Sequence, residues 1–348
     1  MIHGWDHTIE VMSRLARESR KRGCRVLRSL QPEGSRLNSV LKAPMKLLER
    51  PPKSLLAALE ESDAFIFTLG PRNPVPWERI PEKRRRAVSI WLDRRYDRSD
   101  FAKEIVSTAM KHKVRMLGIE ATLATRERAS VMGLNFREWR RVMLEGCVVN
   151  WRDISARARG LARILHTGEE ARITTARGTN LRFRLDDRPV EVSDGLTSKE
   201  KTSRGEVTFL PSGNVNVSID EESAAGRIVY DLPIRMGRQT VKSLALEVER
   251  GRVSEVAANE GRNPFREYLE SEDNASKVSY FGFGLNPKLR FGFTQDDKVL
   301  GGVTIGLGDN ESKGGRNRAK GQEWWGCVSR ATVVIGGKEI MRRGRLVV

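Results

Sequence analysis

The chain has 348 residues, 39% of them hydrophobic and 31% charged, which is enough to bury two ordinary cores beneath a wet surface. No apolar run approaches the roughly 20 residues of a membrane helix. MIHGWDHTIEVMSR at the start lacks the basic-then-apolar order of a secretion signal. The formal charge of +18 is uneven: residues 1–168 carry 34 Lys and Arg against 19 Asp and Glu, leaving 29 against 26 for residues 169–348. A basic half joined to a nearly neutral one points to an acidic partner, nucleic acid or an acidic protein.

TIEVMSRLARESRKR (8–22) places Val11, Leu15 and Ala16 on one helical face, Gly23 ends that helix, and CRVLRSL (24–30) reads as a strand. A second basic helix is expected near 37–49, closed by Pro51 and Pro52. DAFIFTLG (63–70) has the length and composition of a buried parallel strand. EKRRRAVSIWLDRRYDR (82–98) is the densest basic cluster, with Trp91 and Tyr96 interleaved. Its arginines Arg84, Arg85, Arg86, Arg94 and Arg95 are the candidate polyanion contacts; a surface helix with an apolar seam is the plainer reading. A helix capped by Ser99, a strand VRMLGIE (114–120) and a helix or helix pair over 135–165 complete an alternation typical of a parallel α/β domain. Neither GxGxxG after the first strand nor GxxxxGK[ST] occurs, so a dinucleotide or P-loop site is unsupported.

The pattern changes near Gly168. ARITTARGTNLRFRLDDRPV (171–190) alternates apolar and polar residues, and strand signals dominate from there on. The expected organisation is a basic parallel α/β domain over 1–168 and a β-rich domain over 169–348. Cys24, Cys147 and Cys327 stand far apart with no nearby His, as reduced thiols in a cytoplasmic protein do.

Several fragments of the second half carry a resemblance: FLPSGNV (209–215), GRIVYD (226–231), FGFGLNP (281–287), DDKVLGGVTIGLGDN (296–310) and GGKEIMRRG (336–344). In this order they resemble the thermophilic metalloaminopeptidases of the aminopeptidase T type. The resemblance implies a two-domain, usually dimeric exopeptidase that holds paired divalent metals with two Glu, His residues and an Asp. Such a pair generates hydroxide at neutral pH and polarises the scissile carbonyl.

The ligand positions do not carry over. The two family Glu fall on Asn214 and Tyr280, a His falls on Thr304, and the final His-x-Asp falls on Gln322 and Trp324. All four histidines (His3, His7, His112, His166) precede residue 169. With Asp297 and Lys298, which keep the register of the family's DEK piece, these positions define a former-site pocket without a catalytic residue. Trp324 is expected to fill the vacated cavity. The resulting expectation is a binding protein of aminopeptidase-like fold that has lost peptidase activity and takes no cofactor. The alternative is a hydrolase on an all-carboxylate site of Glu206, Asp296, Asp297, Asp309 and Glu323, suited to Mg or Mn rather than Zn. Iron-dependent ring-cleaving relatives keep similar His and carboxylate ligands, so the ligand positions give them no support either.

Overall fold

The computed structural model describes residues 1–76, 79–85, 100–236, 239–320 and 323–348. The chain forms two compact units: Met1–Cys147 with Gly195–Pro211, and Val148–Asp194 with Ser212–Val348. The divide expected at residue 168 therefore falls inside the second unit, which takes the helix Trp151–Thr167, while the segment 195–211 joins the first.

The first unit is a five-stranded parallel sheet in the order Arg28–Gln31, Ile2–Trp5, Ala64–Thr68, Arg115–Ile119, Thr208–Leu210. Helices Ile9–Lys21, Glu33–Lys42, Lys53–Glu60 and Asp100–Lys111 follow the strands. The first helix buries Met12 and Ala16, spaced i and i+4, and leaves Val11 half-exposed. The strand expected at 24–30 starts only at Arg28, and a strand not anticipated, Ile2–Trp5, occupies the sheet interior with all four residues buried. Trp5, Phe65, Phe67, Ile105 and Met116 lie in the core of this unit.

The second unit is almost wholly antiparallel. An eight-stranded sheet includes Glu170–Thr174, Asn180–Arg184, Ala225–Tyr230, Leu244–Glu249 and Thr332–Ile335. A five-stranded sheet runs Glu323–Val328, Val303–Gly308, Val278–Gly284, Asn214–Ser218, Val190–Ser193. A parallel α/β sheet followed by a β-rich region is the fold class expected from the sequence. Alternation in the second sheet sorts side chains between two faces. Val215, Val217, Phe281, Phe283, Ile305 and Leu307 enter the unit's main core, where Phe281 meets Phe183 edge-on at 4.8 Å. The opposite face carries the polar residues. Among the described residues, no helix is long and apolar enough to cross a membrane.

Candidate functional site

The polar face is assembled by register. Asn214 pairs with Gly284, Asn216 with Gly282, and Ser218 with Tyr280; Gly282 also pairs with Thr304, and Tyr280 with Gly306. Directly opposed residues point to the same side, so Asn214, Asn216, Tyr280 and Thr304 share one surface. Two glycines make room on it. A Cβ at Gly306 would lie 1.9 Å from the Tyr280 ring, and one at Gly282 would lie 2.0 Å from Asn216 Oδ1. Both neighbours fold across bare backbone that any larger residue would obstruct.

The 3-10 turn Asp296–Lys298 brings Asp297 to this surface, where Asn214 Nδ2 donates to Asp297 Oδ2 at 3.0 Å. Lys298 is buried in the same turn. Thr304 Oγ1 lies 3.4 Å from Cys327 Sγ. Burial, and then the charges of Asp296 and Asp297, push the Cys327 thiol well above its ordinary range, so it supplies no thiolate. At the other end Glu323 Oε1 accepts from both Lys313 Nζ and the Tyr280 hydroxyl at 2.8 Å. Lys313 Nζ also sits 4.4 Å from the Tyr280 ring centroid, so one buried cation serves the carboxylate and the ring together. Asn214 Oδ1 and Asn216 Oδ1 are buried and have no hydrogen-bond partner among the described residues.

Six of the seven expected pocket residues can be placed. Asn214, Tyr280, Asp297 and Thr304 meet on or against the polar face, Lys298 lies in the adjoining turn, and Gln322 is outside the described residues. Trp324 is a correction. It points into the core, edge-on to Phe265 at 4.7 Å and Tyr230 at 5.3 Å, because strand alternation puts Glu323 and Trp325 on the polar side. Asn216, Lys313 and the pairing role of Glu323 were missed. The sequence NVNV did carry the signal for Asn216, whose immediate neighbours Val215 and Val217 both face inward.

The alternative carboxylate site is corrected as well, since its members do not converge among the described residues. Glu206 belongs to the first unit and pairs with the exposed Arg204. Asp296 accepts from the Gly292 amide at 2.7 Å, and Asp309 accepts from the amides of Glu311 and Ala319. Asp297 and Glu323 are engaged as described. Among the described residues, the His, Cys, Asp and Glu donors that converge are Asp6, His7 and Glu33, in the first unit. The polyanion cluster also changes. Arg84 donates to the carbonyls of Val40 and Ala43 at 3.0 and 2.8 Å, holding a helix end rather than standing free. Arg86, Arg94 and Arg95 are outside the described residues, as is the side chain of Arg85.

Comparison with solved structures gives the fold. Wild-type AmpT from Thermus thermophilus matches with a TM-score of 0.67 at 15% identity, over 100% of this chain and 94% of its own. A 2,5-dihydroxypyridine dioxygenase from Pseudomonas putida KT2440 matches with a TM-score of 0.61 at 14% identity, over 99% and 90%. A comparison with curated proteins found no match. The aminopeptidase resemblance thus holds for the fold, while the family model that matches residues 143–348 is that of NicX, 2,5-dihydroxypyridine 5,6-dioxygenase.

That family overturns the expectation of no cofactor, because oxygenases and aminopeptidases of this fold work with metal ions. It also overturns the dismissal of the ring-cleaving relatives. The polar face itself does not fit an iron centre of the His–carboxylate kind. The second unit's one His, His166, pairs with Asp187 at an exposed corner, and the buried Lys313 ammonium occupies Glu323. The match spans more than half of the chain, and the protein belongs to the NicX, 2,5-dihydroxypyridine 5,6-dioxygenase, family.

Proposed function

We propose that the polar face of the five-stranded sheet binds a small hydroxylated nitrogen heteroaromatic, the chemical kind named in the family's description. The observation that supports this is the pair of buried amide oxygens, Asn214 Oδ1 and Asn216 Oδ1. A buried acceptor left unmade costs about 1–3 kcal/mol, and a ring carrying O–H and N–H donors repays that cost twice on this face. Asp297, fixed by Asn214, offers a further acceptor beside them. Small planar ligands suit such a site because two aligned acceptors fix a flat molecule's orientation.

Peptide hydrolysis finds no support on the same face. Thr304 has a buried thiol for a neighbour rather than a base, and the Tyr280 hydroxyl donates its hydrogen bond to Glu323. Calorimetric titration with 2,5-dihydroxypyridine tests the reading. Saturable binding is expected, weakened at least tenfold by Asn216→Leu. Absence of heat and of any melting-temperature shift at millimolar ligand would remove it.

A further inference from the structure

We propose that Asp6, His7 and Glu33 form a binding site for one first-row divalent transition ion at the carboxyl edge of the parallel sheet. It is separate from the polar face, and its test does not depend on the reading given for that face.

The sheet order places the site. With the strands numbered along the chain within this sheet, the order is 2-1-3-4-5, so the direction of winding reverses between Ile2–Trp5 and Ala64–Thr68. Open α/β sheets bind ligands in the crevice beyond the carboxyl ends of the strands at such a reversal. Asp6 and His7 lie in the 3-10 turn directly after Ile2–Trp5, and Glu33 opens the helix after Arg28–Gln31. The loop after Ala64–Thr68 brings Arg72 and Asn73 to the same corner. Buried Arg128 holds that loop by donating to the Pro71 carbonyl at 3.0 and 3.1 Å, and Thr125 Oγ1 donates to the Arg72 carbonyl at 2.7 Å.

The donor atoms of Asp6, His7 and Glu33 all lie within 4.8 Å of one another. Internal hydrogen bonds account for the carboxylates. Asp6 accepts from the amides of His7 at 2.8 Å and Glu33 at 3.2 Å. Glu33 accepts from the amides of Arg72 and Asn73 and from Asn73 Nδ2, at 2.8 to 3.2 Å. These bonds leave lone pairs on both Asp6 oxygens and on Glu33 Oε2.

They do not account for His7. Its side chain is only 8% exposed, and neither ring nitrogen has a hydrogen-bond partner among the described residues. Nδ1 faces Asp6 Oδ1 at 3.9 Å, too far for a hydrogen bond but on the side where the carboxylates gather. The backbone of Thr122 lies against the ring and acts on its charge without reaching hydrogen-bond geometry. A buried imidazole with two idle nitrogens beside two carboxylates is a donor set without its acceptor. One nitrogen and two oxygens suit Mn(II), Fe(II), Co(II) or Zn(II), with Asp6 exposed as the entry side. Arg72 carries a charge that also acts on the ring, and the charges of Asp6 and Glu33 act against it.

The test uses the full chain, stripped with a chelator and titrated with Co2+ alone. Equilibrium dialysis and visible absorption read stoichiometry and ligation. One equivalent is expected, with affinity at least tenfold lower in His7→Gln and a Co2+-induced rise in melting temperature that this variant loses. Glu33→Gln is the second variant. Glu33 also ties down the 72–73 loop, so if that variant fails to fold, His7→Gln decides, since the ring it replaces makes no hydrogen bond. No stoichiometric Co2+ on the native chain, or binding that His7→Gln leaves unchanged, overturns the site.

Discussion

Two carboxylates of the second unit and two of the first are held in different ways. In the second unit two carboxylates, Glu221 and Glu323, are each met by a cation of the chain itself. Arg188 pairs with Glu221 at 3.1 Å, and Lys313 pairs with Glu323 at 2.8 Å, with all four side chains at 12% exposure or less. In the first unit Asp6 and Glu33 are met by backbone amides and by an imidazole with idle nitrogens. A carboxylate closed by the chain's own cation has little left for a metal, whereas one held by amides keeps both its charge and its lone pairs. The basic excess of the chain does not mark where cations matter, because the decisive ones are Arg188 and Lys313, both in the nearly neutral half.

Removing one partner of the best-buried pair tests this contrast most severely. Glu221 Oε1 accepts from Asn310 Nδ2 and the amides of Arg316 and Asn317, so it organises the loop that delivers Lys313. Arg188→Met leaves that carboxylate buried without its cation and is expected to cost about 3–5 kcal/mol in urea unfolding. A loss below ~1 kcal/mol would mean that the amides alone hold Glu221.

Acid should separate the units. Burial, and secondarily the charge of Arg36, lowers the His3 pKa from 6.5 to about 4. The unfolded chain takes up that proton below pH 6.5 while the folded chain refuses it. The stability tied to neutral His3 is therefore complete above pH 6.5 and lost as pH falls toward 4, up to about 3 kcal/mol. In the second unit burial opposes the charge of Glu221, but its hydrogen bonds and Arg188 outweigh burial and lower its pKa below 4.5. Its contribution is present above pH 4.5 and lost below. Melting scans from pH 7 to 3 should show the first unit weakening first, with His3→Asn flattening the change between 6.5 and 4. A single transition with the same pH dependence in both proteins would contradict this.

Lys313→Met should cost less, about 1.5–3 kcal/mol, because Glu323 keeps the Tyr280 hydroxyl. Adding Glu323→Gln should recover part of the loss, since the orphaned charge is then gone. Two losses that simply add would show that the pair does not act as one unit.

How far the sequence reached follows from what each signal encodes. Long apolar runs and the 3.6-residue period fix helices and buried strands, so Ala64–Thr68, Arg115–Ile119 and the helices Phe136–Cys147 and Trp151–Thr167 stood close to expectation. Ile2–Trp5 was overlooked because four residues at a terminus give no period, and with it went the only clue that Asp6 and His7 sit at a strand's carboxyl end. The glycine-rich strands were recognisable by motif, but which face each residue takes depends on register. For that reason Trp324 was assigned to the site and Asn216 was not. Buried ion pairs join residues 10 to 33 positions apart across a fold, and no local pattern announces them.

The smallest effect concerns Arg84, a cation of the basic half that the chain also uses internally. Its guanidinium NH1 donates to the carbonyls of Val40, in the last turn of Glu33–Lys42, and of Ala43, its C-cap. A cation there also complements the negative end of the helix dipole. Arg84→Gln is thus expected to cost about 1 kcal/mol of stability, since two part-buried hydrogen bonds and one favourable charge are lost. Urea unfolding at low and at 0.5 M salt measures both parts, and only the dipole share should shrink as salt rises. If stability is unchanged while retention on an anionic matrix falls, Arg84 is a surface cation after all, and the first unit's arginines face outward as its sequence suggested.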